Sequence, residues 1–290
     1  MSLTDDVRAT CREIAEGARH VKIDVERLSA LEPGDPPALD AERHYLDGPT
    51  EDVADYLLVL DSINFGSGWF PTLRKRPGMS GYFTVASYLA DYWRDSGGWS
   101  ADELRALRAE DLALVLGQEP GHELMGLYAE ALRDLGRFLA ARHALELIAE
   151  AGRSAERLAS MLAAGMPFFD DVGFWKRAQI AANDLALADV AEFHDLDRLT
   201  IFADNLVPHV LRCDGVLVYD PALAVHIDSG RLLPSGREER EIRACAVHAC
   251  ELLSERTGMP PRLIDTALWN RGQEPRYKAV PRHRTRTVFY

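Results

Sequence analysis

A chain of 290 residues, 47% hydrophobic and 27% charged, is long enough to bury a sizeable core and has the composition of an ordinary globular protein. Its 46 acidic against 33 basic side chains leave a formal net charge of −13, a field that repels polyanions and argues against duplex DNA or whole tRNA as a partner. A small anionic ligand held by one local basic cluster stays compatible with that balance. The opening MSLTDDVRAT has acidic residues and no apolar run, no stretch reaches the roughly 18 apolar residues of a membrane span, and Cys11, Cys213, Cys245 and Cys250 show no CxxC spacing. A reduced, cytoplasmic protein without a membrane segment is expected.

In chain order, Leu31–Pro49 is rich in Pro, Gly and Asp and reads as an exposed loop, Gly66–Gly81 as a second irregular stretch, and Gly97-Gly98 as a turn. Ser100 with Glu103 forms a capping box ahead of Leu104 and Leu107. Glu123–Leu139 places Leu124, Leu127, Tyr128, Ala131, Leu135, Phe138 and Leu139 on one helical stripe. Ser154–Ala164 repeats the pattern and stops at Gly165 and Pro167. Val216–Tyr219 is a short strand candidate. Ser235 and Glu238 suggest a further capping box before the stripe Ile242, Cys245, Ala246, Ala249 and Leu253, which Gly258, Pro260 and Pro261 end. The final Thr287–Tyr290 is a second strand candidate. The prediction is a mainly α protein, one compact helical domain over residues 1–290 with long loops and at most a few short strands, residues 1–50 forming an N-terminal extension.

Three segments depart from what packing alone would select. In Leu199–Leu211 (LTIFADNLVPHVL), Asp204 sits in a near-continuous apolar run, where a carboxylate is costly unless it has a partner or a use; a helix cap is the plainer alternative. Asn205 is a second polar group there, and Pro208 should interrupt any helix. In Pro167–Gln179 (PFFDDVGFWKRAQ), Asp170 or Asp171 can cap a helix. Phe168, Phe169, Phe174 and Trp175 offer apolar faces for a base, and Lys176 and Arg177 offer cations for a phosphate; a core-packed amphipathic helix would look the same. In Asp61–Pro71 (DSINFGSGWFP), Asn64 can read a base edge, Phe65 and Trp69 can stack, and Gly66 and Gly68 permit close backbone approach. Tyr88 is another stacking candidate. No GxGxxG, P-loop, HExxH or GxSxG is present. His209 and Cys213 stand four apart with no further ligand nearby, so neither a metal nor another cofactor is expected.

The phrases FFDDVGFWKRAQI, LTIFADNLVPHVLR, REEREIRACAVHACELL and PRHRTRTVFY, in that order, resemble the queuosine salvage proteins, the queuosine 5′-phosphate N-glycosylases, from about Asp61 to Tyr290. Where some members carry Tyr-Arg after the aspartate of FAD, this chain has Asn205-Leu206, so contacts made by that pair have no counterpart here. The resemblance implies a fold similar to the helical DNA glycosylases without DNA as substrate, and hydrolysis of queuosine 5′-monophosphate to queuine and ribose 5-phosphate. It implies that Asp204 is catalytic and Lys176 a phosphate ligand. On that chemistry, Arg177 or the His283–Arg284 pair would assist at the phosphate, and Asp61, Asp220 and Asp265 are open candidates for the ammonium of queuine. Glu238, Glu239 and Glu241 read as a solvated helix face, with Glu241 and Arg243 as a possible supporting pair. A module that binds a nucleotide or modified base without turnover is the alternative reading.

Overall fold

The structure, a computed structural model, describes residues 2–290. The chain is mainly helical, as its periodicity predicts, and groups into two compact units. One comprises residues 2–37, 172–176 and 197–287; the other comprises Ala38–Asp171, Arg177–Leu196 and Val288–Tyr290. Each unit draws on separated stretches of sequence, which is why no linear boundary shows in the composition. No described helix is long and apolar enough to cross a membrane.

The first unit opens with α1 (Leu3–Glu16), β1 (Val21–Ile23) and α2 (Val25–Ala30). Ser2 caps α1 by accepting from Asp5 N, and Asp24 caps α2 by accepting from Arg27 N. The second unit supplies α3 (Thr50–Ser62), α4 (Gly81–Ser96), α5 (Ala101–Ala106), α6 (Ala109–Val115), α7 (Glu123–Leu139), α8 (Ala144–Glu150) and α9 (Ala155–Gly165). Helix α10 (Lys176–Leu187) has its first residue in the first unit and the rest in the second. The first unit then continues with α11 (Val207–Cys213), β2 (Leu217–Tyr219), α12 (Pro221–Asp228), α13 (Arg237–Thr257), α14 (Pro261–Arg271) and α15 (Pro275–Lys278).

The core of the first unit is organised by α13, whose predicted stripe of Ile242, Cys245, Ala246, Ala249 and Leu253 is buried throughout. Val7 and Cys11 of α1, Val210 and Leu211 of α11, and Ile264 and Leu268 of α14 pack in the same cluster. Strands β1 and β2 pair antiparallel, with Val21 opposite Tyr219 and Ile23 opposite Leu217. In the second unit, α7 carries the predicted apolar face against α5 and α6. Its Gly136 allows the close approach: a Cβ there would stand 2.8 Å from Ala101 O and Arg105 N. The Ser100–Glu103 capping box forms, and Gly97 and Gly98 both adopt the positive φ of a glycine turn.

Four local expectations are corrected. Helix α13 starts at Arg237 behind Gly236, with no side-chain cap from Ser235; a Ser235 cap would make glycine the first helical residue, which its conformational freedom disfavours, and Glu238 and Glu239 complement the helix start instead. Pro208 does not interrupt a helix but lies in the first turn of α11, where its missing N–H costs nothing. Helix α10 begins at Lys176, beyond Asp170 and Asp171, and Asp170 closes the 3-10 turn Pro167–Phe169. Residues 287–290 form no strand, because the tail's carbonyls meet a guanidinium and a loop amide: Val288 O accepts from Arg177 Nη2 at 2.7 Å and Tyr290 O from Gly66 N at 3.0 Å. The predicted loop Leu31–Pro49 has no regular element, yet Leu31, Pro33, His44 and Tyr45 are buried and anchor it.

Candidate active site

Every residue from Leu199 to Leu211 is buried except Asp204, which is half-buried. The backbone around it is held by three buried side chains of the first unit. Asp265 Oδ1 accepts from Phe202 N at 2.9 Å, Arg243 Nε donates to Ala203 O at 2.8 Å, and Asn205 Nδ2 donates to His283 O at 3.0 Å. Asp204 itself turns over the start of α11, where Oδ1 accepts from Leu206 N at 2.6 Å and Val207 N at 3.3 Å. Oδ2 accepts no hydrogen bond among the described residues. Capping and chemical availability, alternatives on sequence, are therefore compatible here, since a carboxylate has two oxygens and the cap uses one.

Arg243 is the central clamp. Beside its bond to Ala203 O, its guanidinium carbon lies 3.9 Å from the centre of the Phe174 ring, and Nη1 is 3.5 Å from Glu239 Oε1. The expected Glu241–Arg243 pair does not form. Residues two apart on a helix point to different sides, whereas Glu239 and Arg243, four apart, share one. Glu241 instead accepts from Arg19 N and His20 N at 3.0 and 2.7 Å, tying down the turn before β1. Phe174 belongs to the strip Val172–Lys176, in which Gly173 O accepts from Cys11 Sγ and Trp175 holds φ at +44°. A left-handed backbone at a bulky residue costs on the order of 1–3 kcal/mol, and this strain sits directly before Lys176, which is itself buried.

Of the acids proposed for an ammonium, Asp220 is committed elsewhere. Its Oδ1 caps α12 by accepting from Ala222 N and Leu223 N, and its Oδ2 lies 2.7 Å from His20 Nδ1; the amide of Leu223 and His20 hold its pKa below the usual carboxylate range. Asp265 serves the backbone at Phe202. Asp61, in the second unit, is buried at the end of α3 with Asn64 Nδ2 3.2 Å from its Oδ1.

The second unit also holds the other sequence candidates. Arg177 is buried between the rings of Phe65 and Phe169, 4.7 and 4.8 Å away, and donates to the carbonyls of Ser62, Phe168 and Val288 and, at 3.5 Å, Asp61. Its donors serve the scaffold, unlike the phosphate-assisting role considered on sequence. Phe65 packs edge-on to Tyr128, and Trp69 donates from Nε1 to Glu123 at 2.7 Å. Tyr88 lies under Arg76, 3.7 Å from the guanidinium carbon, and against Gly117. The structure thus brings Asp204, Lys176, Phe174, Asp220, Asp265, His283 and Arg284 into the first unit, and Asp61, Asn64, Phe65, Trp69, Tyr88 and Arg177 into the second.

His283 is buried, and burial first, then the charges of Arg243, His209, Arg282 and Arg212, pull its pKa down to about 3. It is a neutral ring at physiological pH, so positive charge on this tail comes from Arg282, Arg284 and Arg286. The unfolded chain protonates this imidazole near pH 6.5 while the folded chain does not, so stability falls as pH drops through that value, by about 1.4 kcal/mol per pH unit for one such group, until about pH 3. His209 and His44, lowered mainly by burial, act in the same direction. His143, raised by its hydrogen bond to Asp55, and Glu251, raised by burial, act the other way, so the test is a difference. Between pH 7.5 and 5.5 the wild type should lose about 1 kcal/mol more stability in urea than His283→Gln, and equal losses would show that this ring is not buried neutral. Arg282 was not singled out on sequence. The signal available for it was a run of cations, PRHRTR, in a strongly acidic chain.

These features define a mainly helical protein built around one clamped, half-buried carboxylate with arginines close by. The chain belongs to the queuosine salvage protein family, whose sequence profile matches residues 44–290. It is 34% identical to the queuosine 5′-phosphate N-glycosylase/hydrolase of Sphaerobacter thermophilus, over 98% of this chain and 97% of that one. Proteins of the same name from Mus musculus and Nematostella vectensis are 26% identical over 98% of both chains and 29% identical over 82% of both. The family resemblance carried by FWKRAQI, LTIFAD and the HRTR ending is thereby borne out, and the similarity reaches into the first fifty residues.

Proposed function

We propose that this protein is a nucleotide N-glycosidase that hydrolyses queuosine 5′-monophosphate to queuine and ribose 5-phosphate, returning the base for tRNA modification. The observation that carries the catalytic assignment is the exposure of Asp204 alone within a sealed thirteen-residue stretch, with one oxygen anchored and the other uncommitted. The names of the relatives support the substrate.

Cleavage of the bond between C1′ and the base leaves the bonding pair on the base and positive charge shared between C1′ and the ring oxygen. A carboxylate facing C1′ stabilises that oxocarbenium character or attacks it; water then supplies hydroxide to C1′ and a proton to the base. A 7-deazapurine has no N7 to protonate, so the base is a poor leaving group and the fixed negative charge of Asp204 carries more of the barrier. Anchoring Oδ1 on two amides pre-orients the group before substrate arrives. Lys176, which matches the lysine of the family's FWKRAQ phrase, supplies the ammonium for the phosphate and directly follows Trp175, whose backbone is held at positive φ. The protein acts in the cytoplasm on a small nucleotide, without a metal or cofactor and without a nucleic-acid polymer.

Following free queuine by mass spectrometry during incubation with queuosine 5′-monophosphate tests the reading; saturable binding without base release would make the protein a nucleotide binder. Lys176→Ala should lower kcat/KM at least about 30-fold for the monophosphate and far less for the nucleoside, as expected for loss of a buried charge partner. Equal losses on both substrates would mean that Lys176 acts structurally.

A further inference from the structure

Two arginines of the PRHR segment (residues 281–284), Arg282 and Arg284, and two that act on it, Arg212 and Arg243, are separated by their hydrogen bonds. Arg212 donates to both oxygens of Asp228 at 2.9 Å, Arg243 to Ala203 O, and Arg284 to Gly230 O. The side chain of Arg282 makes no hydrogen bond and no ion pair with any described residue. It is half-buried, and burial lowers its pKa while the charge of Asp204 raises it. Its backbone is nevertheless pinned on both sides: Pro281 O accepts from Arg212 Nη1 at 3.5 Å, and His283 O accepts from Asn205, the residue after Asp204. A fixed backbone thus delivers five unused N–H donors to the neighbourhood of the carboxylate. A partly desolvated guanidinium left without an acceptor is costly, and the cost is removed if an anion completes it.

We propose that Arg282 is a guanidinium ligand of the substrate's 5′-phosphate, an assignment that rests on the functional reading above. The planar fork matches phosphate oxygens in pairs. In a chain of net charge −13 a phosphate needs local cations, and Arg282 has Arg284 two residues on as a second positive charge. A ribotide with C1′ facing Asp204 Oδ2 carries its phosphate a few bonds away on the same sugar, within the span of a long side chain rooted beside the partner of Asn205. Asp204 keeps Arg282 charged without occupying its donors, since no ion pair joins them.

Arg282→Ala and Arg282→Lys, checked for native stability, are compared with the wild type on queuosine 5′-monophosphate and on queuosine, with inorganic phosphate as competitor of nucleoside hydrolysis. For Arg282→Ala, kcat/KM on the monophosphate should fall about 100-fold and that on the nucleoside less than about 3-fold, with phosphate inhibition weakened by a similar factor. Arg282→Lys should recover part of the monophosphate rate, having charge but no fork. Equal losses on both substrates, or unchanged inhibition by phosphate, would overturn the assignment while leaving the N-glycosidase reading intact. No base release by the wild type from either substrate would end that reading and the assignment with it.

Discussion

Asp204→Asn is expected to reduce turnover of queuosine 5′-monophosphate by at least about 10³-fold, the scale of losing a charged group that acts in the transition state, while substrate affinity is largely kept. The structure makes this substitution unusually clean. Oδ1 of asparagine can still accept from Leu206 N and Val207 N, so the turn into α11 survives and only the charge at the other position is lost. Asp204→Ala removes both, and should show a comparable loss of rate together with about 1 kcal/mol of stability from the missing cap. Single-turnover base release and urea unfolding on both variants separate the two effects. Near-normal turnover in Asp204→Asn would remove Asp204 from the mechanism. Equal destabilisation of the two variants would show that the cap needs the charge.

Arg177→Met is the substitution with the largest expected effect on folding, a loss of about 3 kcal/mol or more. Methionine fills the space between Phe65 and Phe169 but leaves the carbonyls of Ser62, Phe168 and Val288 without their donor. Those carbonyls belong to the end of α3, the turn Pro167–Phe169 and the closing residues, three stretches far apart in sequence that one guanidinium joins in the second unit. Arg177→Lys retains a cation but neither the fork nor the stacking plane, and should recover little. Denaturant midpoints measure this directly. If Arg177→Met were as stable as the wild type and lost activity selectively on the phosphorylated substrate, the residue would be a phosphate ligand after all, as its sequence position beside Lys176 first suggested.

The helical class was legible because its determinants are local. The stripe of α7 from Leu124 to Leu139, the Ser100–Glu103 capping box and the stop at Gly258 all depend on side chains within a turn or two of each other, and each is present. The short strand near Val216 was visible for the same reason, but β1 was not: three residues with one partner strand almost 200 positions away carry no periodic signal. The closing segment misled for a related reason, since an extended, aromatic-rich tail has the composition of a strand whether its carbonyls meet another strand or Arg177.

By itself, the sequence determined that the protein is helical, acidic and a queuosine salvage family member, and that a carboxylate at position 204 is out of place in its apolar run. Only the tertiary structure decided what that carboxylate is free to do, because the amides at 206 and 207 take one oxygen while residues 203, 205 and 202 are held by Arg243, His283 and Asp265, between 40 and 78 positions away. It also distinguished two arginines that are alike in the sequence. Arg177 is enclosed by backbone carbonyls and Arg282 is not. The physical reason is that a charge's role depends on which acceptors already occupy it. Those acceptors are backbone groups, and every residue type presents the same carbonyl, so the primary sequence carries no mark of where they fall.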